Sequence, residues 1–185
     1  MRIIAGTARS LPLKTVEGMD TRPTTDRIKE TLFNILQQDI PGAYFLDLFA
    51  GSGQIGLEAL SRGAAYCVFA ENAKKAQACI EDNIAFTKFT NNSKLLKMDA
   101  VSAIASLEGK YTFDVIFMDP PYDRGLEKEV LERLLHSSIL KKDTLIVVEA
   151  SLDTEFDDVL EMGYELVKYK KYKTNAHVFL RKNEG

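Results

Sequence analysis

The sequence predicts an α/β domain on a parallel sheet that an antiparallel hairpin closes, and three observations carry that prediction. From Ala43 onward, apolar segments of strand length alternate with helical stretches, the pattern of parallel βαβ units. The last two extended segments are separated only by Lys173-Thr174-Asn175, too short for a crossover, so they pair antiparallel. The chain has 185 residues, 45% of them hydrophobic, and a chain of this size buries about two thirds of its unfolded surface without help from disulfides or metals.

The elements follow in order. Residues 2–5 and 11–16 are extended pieces separated by Gly6 and Ser10 and predict a small hairpin or arm. Thr24 or Thr25 caps a helix in which Ile28, Leu32, Phe33, Ile35 and Leu36 keep helical spacing, ending before Pro41-Gly42. Residues 1–42 thus form a hairpin and helix extension of one globule whose main body is 43–185. In the body, strands at 44–49, 67–70, 94–97, 115–118 and 145–149 alternate with helices at 55–62, 73–86, 100–107 and 126–136. Strands at 164–172 and 176–181 form the closing hairpin.

The formal charge of −3 hides a segregation. Residues 1–31 carry six basic and four acidic side chains, 32–165 carry 12 and 22, and 166–182 carry six and none. Lys168, Lys170, Lys171 and Lys173 are either the solvated face of a strand or an edge that faces a polyanion, with Tyr169 and Tyr172 interleaved to stack on bases. The apolar runs are strand-sized, far below the roughly 20 residues of a membrane span, and the first six residues are too short for a signal peptide; a cytoplasmic location is expected. Cys67 and Cys79, twelve residues apart with no CxxC and no nearby His, read as buried side chains.

After the first core strand, Asp47-Leu48-Phe49-Ala50-Gly51-Ser52-Gly53-Gln54-Ile55-Gly56 is a glycine-rich turn feeding a helix and contains GxGxxG at 51, 53 and 56. Glycines let the backbone turn tightly and approach a ligand, toward which the free amides of the helix start point. Glu71, 20 residues after Gly51, suits ribose hydroxyls. These features alone fit NAD as well as S-adenosylmethionine. Asp47 separates the two, because a carboxylate beside a pyrophosphate is an electrostatic cost, whereas adenosylmethionine carries an ammonium that a carboxylate can hold. Asp99 stands where it can accept from an adenine amino group and where it can cap the helix that follows, and both roles can coexist.

The strand at 114–118 runs into Asp119-Pro120-Pro121-Tyr122. Two prolines after a buried strand fix the backbone and remove two amide donors, leaving carbonyls free to accept. That suits an amino group on an aromatic base, whose lone pair is delocalised into the ring. With Asp119 and the Pro120 carbonyl accepting its hydrogens, the nitrogen's lone pair can face a methyl donor, and Tyr122 offers a ring for an unstacked base.

The loop and the tetrapeptide together resemble the class I adenosylmethionine-dependent amino-methyltransferases. More narrowly, Arg2-Ile3-Ile4-Ala5-Gly6, Arg22-Pro23-Thr24-Thr25-Asp26-Arg27 with Leu32-Phe33-Asn34, and the segment 56–64 resemble the RsmD family, which methylates N2 of one guanine in bacterial small-subunit (16S) ribosomal RNA. The resemblance covers nearly the whole chain. It implies a Rossmann-like seven-stranded, mostly parallel sheet with a C-terminal antiparallel hairpin, and S-adenosyl-L-methionine as cofactor. It also implies 16S ribosomal RNA as partner, within an assembling small subunit, with no membrane and no obligatory protein partner. It assigns Asp47, Gly51, Gly53, Glu71, Asn72, Asp99 and Ala100 to the cofactor, and Asp119, Pro120 and Tyr122 to catalysis. Arg22 and Thr24 then lie near the substrate mouth, with Arg9, Lys170, Lys171 and Lys173 on the RNA. The arm departs from the family in having only Arg9 and Lys14 as basic residues around Ser10-Leu11-Pro12, so the lysine hairpin is expected to compensate.

Rival readings fit less. A DNA amino-methyltransferase shares the tetrapeptide but needs a recognition domain for which no stretch of this chain is spare. A cytosine C5 enzyme needs a cysteine nucleophile in a suitable loop. A NAD-dependent oxidoreductase explains neither Asp47 nor the tetrapeptide, and a non-catalytic RNA-binding module does not explain an intact motif set.

Overall fold

The computed structural model describes residues 1–18, 24–122 and 124–184. Its core is one seven-stranded sheet in the order β3-β2-β1-β4-β5-β7-β6. Strands β1 (Tyr44–Leu48), β2 (Tyr66–Ala70), β3 (Ser93–Leu96), β4 (Phe113–Met118) and β5 (Leu140–Ser151) run parallel. β7 (Asn175–Lys182) pairs antiparallel with both β5 and the edge strand β6 (Tyr164–Lys171). Helices α1 (Asp26–Ile35), α2 (Gln54–Ser61), α3 (Lys74–Thr87), α4 (Ala100–Leu107), α5 (Leu126–Leu135) and α6 (Asp157–Met162) complete the described elements. This is the parallel α/β sheet with a closing antiparallel hairpin that the alternation predicts, and its seven strands are the number the resemblance implies.

Each sheet face buries its own apolar cluster. Leu46, Val68, Ile116, Ile146 and Val148 pack toward α4 and α5. Phe45, Phe69, Val115, Phe117 and Phe179 pack with α1, α2 and the N-terminal arm through Ile3, Leu13, Leu32 and Phe33. Because buried parallel strands are covered on both sides, they read as continuous apolar runs. β1 lies between β2 and β4, so the chain's winding direction reverses there. The loops leaving β1 and β4 diverge, and a crevice opens at their carboxyl ends.

Three details depart from the sequence reading. The arm pairs through a single antiparallel bridge, Arg2 with Pro12, and forms no strands. The amides that would extend the ladder are taken elsewhere: Ile4 and Ala5 donate to the Glu58 carboxylate at 2.9 and 3.1 Å, and Ala8 donates to Ser61 Oγ at 2.9 Å. Gly6 sits so close to α2 that a Cβ would lie 1.9 Å from the Ser61 carbonyl oxygen. β5 is longer than 145–149 because Thr144 Oγ1 bridges a register shift by donating to the Phe113 carbonyl, and because antiparallel pairing with β7 carries it on to Ser151. The short helix α6, without a side-chain cap or a long apolar stripe, lacked a signal.

The remaining elements follow their local chemistry. Thr25 caps α1 by accepting from the Ile28 amide, and Asp99 caps α4 by accepting from the Ser102 amide at 2.8 Å and its hydroxyl at 2.9 Å. Both cysteines are free and buried, as read. No described helix is long and apolar enough to cross a membrane.

Candidate active site

The crevice at the switch point is a cleft of about 700 Å³. Asp47 and the glycine loop form one wall, Asp119-Pro120-Pro121-Tyr122 the opposite wall, and Glu149, near the end of β5, lines it as well. Thr24 lies at its edge.

On the loop side, Asp47 is buried at the end of β1 and accepts from the Gly56 amide at 3.0 Å, tying the strand to the first turn of α2. Gly56 serves packing, since a Cβ there would meet the Phe69 ring at 2.4 Å and Cys67 Sγ at 2.6 Å. Gly51 and Gly53 hold positive φ, and so does Phe49, at 58°, a strained conformation for a phenylalanine at a cleft wall. Glu71 accepts from the Gly51 amide and the Ala73 amide, each at 2.8 Å, and so fixes the loop to the end of β2. The side-chain oxygen of Gln54 is buried at the cleft with no hydrogen-bond partner among the described residues.

On the other wall, Asp119 and Glu149 both line the cleft, close enough for each to act on the ionisation of the other. Burial pushes the Asp119 carboxyl well up, and the Glu149 charge adds to the rise. Burial raises Glu149 too. Asp47 is driven well up by burial, with Asp119 and Glu71 contributing repulsion. Among the described residues, the cleft lining holds no Lys, Arg or His side chain. A site with these carboxyls and no cationic side chain repels a pyrophosphate and welcomes a positively charged ligand.

The structure thus brings Asp47, Gly51, Glu71, Thr24, Asp119, Pro120 and Tyr122 to one cleft. Gly53 begins α2 beside it. Asn72 and Asp99 are exposed and Ala100 is buried at the start of α4, all near the carboxyl ends of β2 and β3 outside the cleft lining. Arg9 is exposed on the arm. Lys168, Lys171 and Lys173 are exposed on or beside the edge strand β6, and Lys170 is partly buried with its ammonium 6.0 Å from the centre of the Tyr172 ring. Arg22 lies outside the described residues. Tyr169 is exposed, whereas the Tyr172 hydroxyl bonds inward to His177, which corrects the expectation that both rings are free to stack. Sequence reading missed Glu149, His177, Phe49 and Gln54. A carboxylate near the end of β5, the core strand next to the one that leads into Asp119, was the available signal for Glu149.

Residues 1–181 match the family described as "Conserved hypothetical protein 95". Ribosomal RNA small subunit methyltransferase D of Escherichia coli strain K12 is 38% identical over 153 residues, 83% of this chain and 76% of that protein. The solved structure of yhhF from Escherichia coli superposes with a TM-score of 0.85 at 34% identity, covering 100% of this chain and 99% of that one. SMU.776, solved with SAH, shares the fold alone at 16% identity, with a TM-score of 0.67 over 83% of this chain and 49% of that one. With the two motif walls facing each other across one acidic cleft and the match running almost end to end, the chain belongs to this family, the RsmD family of methyltransferases.

Proposed function

We propose that this enzyme transfers a methyl group from S-adenosylmethionine to the exocyclic N2 amino group of one guanine in 16S ribosomal RNA, in the cytoplasm and on an assembling small subunit. The observation that carries the reading is the juxtaposition, across one cleft, of the Asp47–glycine-loop wall and the Asp119-Pro120-Pro121-Tyr122 wall, with carboxyls and no cationic side chain in the described lining. The orphaned Gln54 oxygen and the carboxyls suit a ligand that carries an ammonium and a sulfonium. Bound there, the cofactor supplies an electrophilic methyl group. Asp47 and Gln54 hold its amino end, Gly51 and Gly53 shape that pocket, and Glu71 and Asn72 take the ribose. Asp99 and Ala100 border the adenine.

The chain's own residues then act on the base. Asp119 and the Pro120 carbonyl accept the two amino hydrogens and aim the nitrogen lone pair, and Tyr122 stacks the flipped base. Arg22 and Thr24 guide the entering strand, while Arg9 and the lysines of the β6–β7 hairpin hold phosphates. The unit 1–42 works as an extension of the same globule, since its apolar side chains share a cluster with the sheet. The test is methyl transfer from labelled cofactor to ribosomal RNA of cells lacking the enzyme, with nucleoside analysis of the product. N2-methylguanosine is the expected product, and any other methylated nucleoside refutes the assignment.

A further inference from the structure

Behind Asp119 lies a buried polar chain that the proposed methyl transfer, as described above, leaves unused. His177 on β7 is fully buried and faces Glu149 across the antiparallel β5–β7 pair. Its Nε2 is 2.7 Å from Glu149 Oε1, and its Nδ1 is 3.0 Å from the hydroxyl of Tyr172 at the end of the β6–β7 hairpin. The imidazole is gripped by rings as well: Phe117 packs edge-on at 6.0 Å and Tyr172 at 5.0 Å. The groups facing it are Glu149 on β5, Asp119 after β4, Tyr172 in the hairpin turn and Lys170, its register partner on β6. A hydrophobic strand position would pack as well with an aliphatic residue, so a histidine with both nitrogens bonded needs an account.

We propose that Glu149, His177 and Tyr172 form a proton relay that leads from Asp119 to the hairpin surface, with His177 as the residue that positions and recharges the carboxyl pair. This rests on the amino-group reading above. Methylation of a neutral amino nitrogen forms one N–C bond, breaks one S–C bond whose electron pair stays on sulfur, and leaves one proton to be removed. In the resting tautomer Nδ1–H donates to the Tyr172 oxygen and Nε2 accepts from a protonated Glu149, which leaves Asp119 as the carboxylate. As Asp119 takes up the proton of the reaction, Glu149 passes its own to Nε2, Nδ1 passes its proton to the Tyr172 oxygen, and the Tyr172 hydroxyl proton leaves to water. The relay ends with Nε2–H donating to a Glu149 carboxylate and Nδ1 accepting from Tyr172; return of one proton along the same path, with loss of the Asp119 proton to water once the product has left, restores the resting tautomer. Neutral imidazole suits both arrangements, and burial holds His177 neutral down to about pH 4. Tyr172, raised by burial to about 12, stays a hydroxyl throughout.

The test has one arm without substrate. The chain has two histidines, exposed His136 and buried His177, so nitrogen-15 NMR of the whole protein separates their imidazoles. His177 should keep one neutral tautomer to about pH 4. Tyr172→Phe, which keeps the ring packing, should release that tautomer. A His177 that becomes protonated well above pH 4, or that shows both tautomers in the wild type, overturns the relay.

The second arm measures single-turnover methylation of ribosomal RNA against pH. His177→Leu should slow it ~10- to 100-fold and move the acid limb to higher pH, because Glu149 loses the acceptor that keeps the proton off Asp119. His177→Gln keeps an amide oxygen that accepts from Glu149 but cannot relay a proton, so it should restore the limb but not the rate. Affinity for S-adenosylhomocysteine should be unchanged in both variants. Profiles that superimpose on the wild type after scaling, or a His177→Gln variant of full rate, reduce His177 to packing and overturn the proposal. An active wild type with such variants sinks the relay alone, whereas a wild type that methylates no ribosomal RNA sinks the functional reading and the relay with it.

Discussion

Two sets of carboxylates in this protein, one around Glu58 and one around the cleft, have opposite characters. Glu58, on α2, is fully buried and fully compensated: it accepts from the amides of Ile4 and Ala5, lies 2.8 Å from Arg62 Nε and 3.6 Å from Lys29 Nζ, and Lys29 is itself fully buried and donates to the Arg2 carbonyl. Asp47 and Glu149 are buried and Asp119 is partly buried, and all three face a cleft whose described lining holds no Lys or Arg. The difference teaches how to tell a structural charge from a working one. A carboxylate whose partners all come from its own chain locks a fold, as Glu58 locks the arm onto α2. Carboxyls kept in repulsion are held ready for a ligand that brings the missing charge.

The largest effect should come from breaking the compensated set. Glu58→Ala leaves Lys29 buried without its carboxylate and frees two arm amides, so the fold should lose about 3–5 kcal/mol. The midpoint of denaturant unfolding checks this. A loss below about 1 kcal/mol would mean that the arm is held by apolar contacts alone.

Asp119→Ala should have the reverse signature. Turnover should fall by two or more orders of magnitude, on the order of 3 kcal/mol, with cofactor affinity little changed. Stability should not fall, because the substitution removes a repelled charge. The pH dependence sharpens the contrast. The folded values of Asp47, Asp119 and Glu149 lie above their unfolded ones, so their contribution is complete below the ordinary carboxylate range and is lost as pH rises through the raised values. His177, lowered to about 4, works the other way, and its contribution is lost as pH falls from about 6.5 toward 4. Asp119→Ala should therefore flatten the fall in stability on the alkaline side and leave the acid side in place. Unfolding free energies measured across pH decide it.

Glu71 stands between the two sets, since both of its oxygens are bonded to backbone amides and yet it lines the cleft. Glu71→Ala should weaken adenosylmethionine binding at least tenfold, by loss of the ribose acceptor and by release of the Gly51 turn. Calorimetry with unchanged affinity would move the ribose contact elsewhere.

What could be read in the sequence divides along the same line. Strand and helix order, the hairpin, the glycine loop and the Asp119-Pro120-Pro121-Tyr122 turn follow from local patterns: apolar runs, Gly and Pro at fixed offsets, caps such as Thr25 and Asp99. Glu58, Lys29, Glu149 and His177 could not be read this way, because each has its meaning from a partner across the fold. Lys29 looked like the polar side of an amphipathic helix and is among the largest fully buried side chains. His177 looked like one polar position in a hairpin strand, and only the register Glu149 to His177 gives it a role. The arm illustrates the converse, since its extended pieces were legible but their amides were claimed by Glu58 and Ser61.

The last contrast sets the acidic cleft against the basic edge, and here the expected effect per residue is smallest. No described acidic side chain forms an ion pair with Lys168, Lys170, Lys171 or Lys173, whereas Lys14 on the arm is tied to Asp82 at 3.1 Å. An unpaired cationic edge on an otherwise acidic protein confines contact with a polyanion to that edge, and each phosphate it neutralises adds about 1 to the slope of log affinity against log salt. Changing Lys170, Lys171 and Lys173 together to Glu should weaken binding to ribosomal RNA and flatten that slope, while adenosylmethionine affinity stays the same because none of these lysines lines the cleft. Filter binding at a series of salt concentrations measures the slope. If it is unchanged, the lysines are a solvated face, and the RNA surface must be sought around Arg9, Lys14 and Arg22.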